Sequence, residues 1–116
     1  MDRNRLAQLF LASGLIVVFG WFGIDKFRDP IVWIGFLPAW MDSFLGMTKN
    51  TWLQLVAVIE VALALALCIP VRRIQQAAAA LMSIHLAAVL WQVGWNDIGV
   101  RDSGLLMSSL ALLFLL

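Results

Sequence analysis

The stretch FGWFGIDKFRDP, Phe19 to Pro30, begins as the end of an apolar helix and then sets Asp25, Lys26, Arg28 and Asp29 within five residues. A lipid-facing helix does not carry four ionisable groups cheaply, so these charges either stop a membrane span or meet partners on other helices. Upstream, residues 6–27 form an apolar run long enough to cross a bilayer, which takes about 20 residues. The run leads into Trp21, Phe22 and the charges rather than into the small residues of a cleavage site, so it reads as a retained first helix. Pro30 has no backbone donor and disfavours helical geometry at Asp29, which places the end of that helix here.

Composition fixes the solvent. Of 116 residues, 63% are hydrophobic and 13% charged, and the mean hydropathy is +0.94; soluble domains average about half apolar and about a quarter charged. The chain reads as an all-α membrane protein forming one domain, residues 1–116, with no room for a separate catalytic domain. Cys68 is the single cysteine, which excludes an internal disulfide or a CxxC pair. A net charge of +1 argues against a nucleic-acid partner or a polybasic lipid-binding surface.

Three further apolar runs follow: Trp52 to Ile69 ended by Pro70, residues 77–95, and Ser103 to Leu116. The last reaches only about 20 Å as a helix against a hydrocarbon core of roughly 30 Å, so it starts earlier, near Val100, or the bilayer thins around it. The expected architecture is a four-transmembrane-helix bundle. VRRIQQ (71–76) and NDIGVRDS (96–103) read as short links. Residues 30–51 are too apolar for a solvated loop and are broken by Gly35, Pro38 and Gly46, so they read as an interfacial helical loop between helices 1 and 2.

Arg3, Arg5, Arg72 and Arg73 lie at one end of these spans, and Lys26, Arg28, Lys49 and Arg101 at the other. The simple count ties. Only Asp2 opposes the first set, whereas Lys26, Arg28 and Arg101 sit beside Asp25, Asp29 and Asp102, so the positive-inside rule places both termini in the cytoplasm. All six tryptophans fall toward the side of the long loop. They read as an aromatic anchor at one interface, or as the walls of a pocket for a flat lipophilic ligand such as a quinone, with Trp21, Trp52, Trp91 and Gln92 as candidate lining residues.

Each of the two middle spans carries one ionisable residue. Glu60 shares a helix face with Leu53, Ala57, Leu63, Ala64 and Leu67; His85 shares one with Ala78, Leu81, Ala88 and Gln92. Small residues on both faces mark them as packing faces. Counted from the loop side, both groups lie roughly 13 Å deep, so they are expected to face one interior space, as a neutral pair or as an ion pair. They are the candidate catalytic, proton-handling residues; the alternative is a hydrogen bond that only fixes helix register. Two candidate ligands fall short of the three or four of a metal site. At the rim, FRDP and VRDS both present an Arg–Asp dipeptide. Cross-helix pairs among Asp25, Lys26, Arg28, Asp29, Arg101 and Asp102 are expected, against the alternative that these charges simply stop helices.

With GWFGIDKFRDP followed by W.GFLP.W, the glutamate in VIEVALALAL and the closing RDSGLLMSSLALL, the chain resembles the DoxX-like family of small bacterial and archaeal membrane proteins. That resemblance implies a four-helix bundle in the cytoplasmic membrane, similar to the subunits of thiosulfate:quinone oxidoreductases. The expected function is then a small integral membrane subunit of a redox, quinone-linked enzyme system, with membrane lipid and other membrane subunits as partners. The alternative is a structural accessory subunit that stabilises a larger complex without chemistry of its own. A small transporter is a third reading, with little room for a pathway.

Overall fold

A computed structural model describes residues 2–116. The protein is all-helical, with no strand among the described residues. Helix α1 (Arg3–Arg28) is followed by the short α2 (Pro30–Ile34) and two single 3-10 turns, Ala39–Met41 and Phe44–Gly46; then come α3 (Lys49–Cys68), α4 (Arg72–Val93) and α5 (Asp97–Leu115). Among the described residues four helices, α1, α3, α4 and α5, are long and apolar enough to cross a membrane.

Local chemistry sets the boundaries. The Asp2 carboxylate accepts the Arg5 N–H at 2.7 Å and caps α1. Asp29 closes that helix and Pro30 opens α2 as its first residue, where a missing N–H costs nothing. Thr48 caps α3 through the Thr51 N–H. Asn96 caps α5 by accepting from both Ile98 and Gly99 at 3.0 Å. Gly94 ends α4 at φ +81°, and a Cβ on Gly99 would run into the Gly94 backbone, so both positions of this turn require glycine.

Two expected links are helix instead. The VRRIQQ segment enters α4 from Arg72 onward, leaving Ile69 to Val71 as the connection. Arg and Gln are good helix formers, and polarity alone did not make them a loop. Likewise all of NDIGVRDS after Asn96 belongs to α5, which at 19 residues spans about 28 Å. The short fourth helix is thereby resolved by an early start.

The four long helices run up, down, up, down around a ring. Gly20 faces Ala64 while Gly23 faces Val61 and Ala57, so α1 and α3 are antiparallel. Ser83 bonds Ser109 at 2.8 Å between α4 and α5. Helix α1 packs most extensively on α3, and α4 on α5; these two hairpins meet along the remaining sides. At Gly23 an added Cβ would lie 2.6 Å from Val61 Cγ2 and 3.1 Å from the Ala57 carbonyl oxygen, so α1 approaches α3 at backbone contact.

Leu15, Phe19, Leu63, Leu67, Met82 and Leu112 form the centre of a dry core. The buried face of α3 is Leu53, Ala57, Glu60, Leu63, Ala64 and Leu67, as its sequence pattern predicts. Helix α4 is rotated from its expected phase: Ala78, Ala79, Met82, Ser83 and Leu86 are buried, whereas Leu81 is exposed. His85 therefore sits at the edge of the packed face.

Candidate functional site

Above Phe19 the dry core gives way to a cleft of about 230 Å³. All four long helices line it, and α2 with the segment after it covers one end through Trp33, Phe36, Leu37 and Met41. Its walls are aromatic and aliphatic; its polar groups are Lys26, Glu60, His85, Gln92, Arg101 and Asp102.

Lys26, Glu60 and His85 meet at the floor. Side chains on a helix lean toward its N-terminus, so across the antiparallel α1–α3 contact Lys26 leans down and Glu60 leans up. Lys26 Nζ lies 2.6 Å from Glu60 Oε1, and both side chains are 10% exposed. The approach is close but off-angle for a hydrogen bond, leaving Oε1 without one, so the attraction is chiefly Coulombic. Glu60 Oε2 faces His85 Nε2 at 3.7 Å, beyond hydrogen-bond reach but with no room for an intervening group. The imidazole rests near the Phe19 ring, 5.9 Å between centroids.

A chain of contacts ties this floor to the rim. Arg28 pairs with Asp25 Oδ1 at 2.8 Å, while Asp25 Oδ2 accepts the indole N–H of Trp33 at 2.9 Å. Trp33 is thus held with its ring centroid 4.2 Å from Lys26 Nζ, a cation–π contact over the ammonium that neutralises Glu60. The charges in FGWFGIDKFRDP have separate duties: Arg28 and Asp25 fix the roof, and Lys26 serves the interior.

The expected cross-helix pairs among the rim charges do not form. Arg28 bonds Asp25 three residues back on its own helix, and Arg101 bonds the adjacent Asp102. Asp29 serves as the C-cap of α1, and no ion pair joins it among the described residues. The i, i+3 spacing puts Arg28 beside Asp25 on one helix face, and the Arg101 side chain folds back onto its own neighbour Asp102, so both are satisfied without another helix. Among the described residues, the one cross-helix ion pair made by the cluster is Lys26 with Glu60. Of the four expected lining residues, Gln92 lines the cleft. Trp21 is outside it beneath Arg28, Trp52 donates to the Phe44 carbonyl, and Trp91 is 85% exposed on the outer surface. Trp33 takes the place expected of them. The signal for it was present: an indole eight residues after Asp25, in a loop too apolar for water.

These features define a small all-helical protein with four helices long and apolar enough to cross a membrane and an ionisable group at the heart of the packing. The chain belongs to the family described as Domain of unknown function (DUF8561), whose model matches residues 15–104. The resemblance to the DoxX-like family does not hold, since the matching family is this one. Short apolar helices resemble one another by composition, and the matched region takes in GWFGIDKFRDP and the RDSG motif on which the likeness was built. No curated protein and no solved structure matches the chain.

Proposed function

We propose that this chain is a small integral membrane protein, its four long helices crossing the bilayer as a bundle. Residues 30–48 then lie along the outer surface, and both termini are cytoplasmic. Within it the cleft holds the ring of a quinone-class lipophile, and the chain acts as the membrane subunit of a redox enzyme system. The exterior supports the membrane setting: Phe10, Ile84, Trp91 and Phe114 are each more than 60% exposed, a surface suited to lipid and costly in water.

The observation that carries the ligand reading is the junction of an aromatic cleft with a buried acid–base group. A quinone needs apolar walls for its ring and proton donors and acceptors beside its oxygens, and Lys26, Glu60 and His85 offer the latter. Glu60 and His85 are the residues assigned to proton exchange, and Lys26 stabilises the carboxylate between transfers. With the DoxX likeness gone, the redox assignment rests on this cleft alone.

The test is purification from native membranes in mild detergent, followed by solvent extraction and quantification of bound lipophiles. A ring compound of quinone class near one per chain, depleted in Trp33→Ala, is the expected result. Its absence, with a membrane protein co-purifying at fixed stoichiometry, would favour the second reading, a structural accessory subunit. That reading has its own support: a neutralised Lys26–Glu60 pair at 10% exposure is also how a register lock is built.

A further inference from the structure

The proton-handling group leaves one buried carboxylate unused. Asp102 is 4% exposed, and its charged partner is the adjacent Arg101, whose Nε and one Nη reach the same oxygen at 3.3 and 3.2 Å. Both residues line the cleft. The guanidinium carries five N–H donors, and this contact engages two of them. Its plane lies against the cleft wall, 4.5 Å from the centroid of the Phe22 ring. The Arg101 side chain is 39% exposed, so its remaining donors are open to water or to a ligand.

Arg101 and the floor group differ in depth. Helices α4 and α5 are joined by a turn of three residues, so their adjacent ends share a level. Arg101 is four residues into α5 from that end, about 6 Å, and His85 is eight residues into α4, about 12 Å. The step between their backbone levels is about 6 Å, and the side chains lean apart, Arg101 toward the mouth and His85 toward the floor, so their polar groups stand further apart than that, as a ring with an oxygen at either end and a hydrogen bond beyond each requires.

We infer that the cleft has two polar stations and selects a ring oxygenated at opposite positions, a 1,4-quinone or its hydroquinone, over lipophiles with a single polar head. One oxygen meets Glu60, His85 and Lys26; the other accepts from Arg101. Asp102 is a positioning residue that holds the guanidinium at the mouth. This rests on the reading of the cleft as a ligand site and adds which ligand it distinguishes.

The experiment is equilibrium binding to the full chain in detergent, comparing a decyl-substituted 1,4-benzoquinone with a decyl-substituted aromatic ring bearing one carbonyl. The quinone is expected to bind about ten-fold tighter or more, the difference a charge-assisted hydrogen bond supplies. In Arg101→Gln/Asp102→Asn, which removes both charges and leaves no lone buried carboxylate, the preference should vanish. Arg101→Lys, milder for folding, should reduce it. Equal affinity of the unaltered protein for both probes would overturn the two stations while leaving the cleft a binding site. A preference that survives in both variants would overturn the role of Arg101. Binding of neither probe would bring down the ligand reading itself.

Discussion

Lys26 Nζ and Glu60 Oε1 lie 2.6 Å apart across α1 and α3, and the pair depends on a glycine one turn away. Gly23 lets α1 touch the backbone of α3 at Ala57 and Val61; Glu60 lies between those two residues and Lys26 one turn further along α1, and leaning toward each other they come within reach.

Breaking the pair from one side should be worse than removing it whole. Lys26→Met leaves a carboxylate in a site of 10% exposure and should cost about 3–5 kcal/mol, whereas Lys26→Met/Glu60→Leu should recover most of the loss. Thermal unfolding in detergent across the four proteins of the cycle measures this. Additive effects would mean that the two charges are independently solvated.

Gly23→Val should force the helices apart, because even its Cβ would lie 2.6 Å from Val61 Cγ2. A loss of about 1–3 kcal/mol is expected from such overpacking. Gly14→Ala is the control: nothing lies within 4 Å of its new Cβ, and stability should hold or rise. Both are read as shifts in melting temperature.

Ser83→Ala should cost about 0.5–1.5 kcal/mol, since it removes the contact between α4 and the fully buried Ser109 hydroxyl, which keeps the Leu106 carbonyl as its acceptor. Ser83→Ala/Ser109→Ala should cost less than the sum of the single changes. If the single variants add, the 2.8 Å contact contributes nothing of its own.

For topology, reporter fusions after Leu116 and within residues 35–47 are expected to report opposite sides, cytoplasmic for the first. Activity of the Leu116 fusion outside the cell would reverse the orientation argued from Arg3, Arg5, Arg72 and Arg73.

What could be read from the sequence depended on contrast. In α3 one glutamate and a series of small and large apolar residues mark a single stripe, and the whole stripe is buried. In α4 the run AAAALMSIHLAAVL is apolar on nearly every side, so the pattern does not fix its phase, and Leu81 faces outward. The link between α3 and α4 reads as longer than it is because RRIQQ is polar, although its residues favour helix. Lysine hid its partner for another reason. Its reach and lean matter only once antiparallel packing is known, while the nearer Arg–Asp pairings are satisfied within single helices. Trp33 is legible only by its place, an indole in a stretch too apolar for water, because the hydrogen bond from α2 to Asp25 has no periodicity to announce it.

The pairing of α1 with α3 has a consequence for biogenesis. Both helices leave the ribosome before α4 and α5, and they already contain both halves of the ion pair. The chain is made from its N-terminal side, so this hairpin can form with its lysine and glutamate mutually neutralised before the histidine helix has been made. The later hairpin, carrying the Ser83–Ser109 bond and the Arg101–Asp102 pair, likewise arrives with its polar groups already matched. Assembly then reduces to the meeting of two prefabricated halves, and the cleft comes into being only at that last encounter.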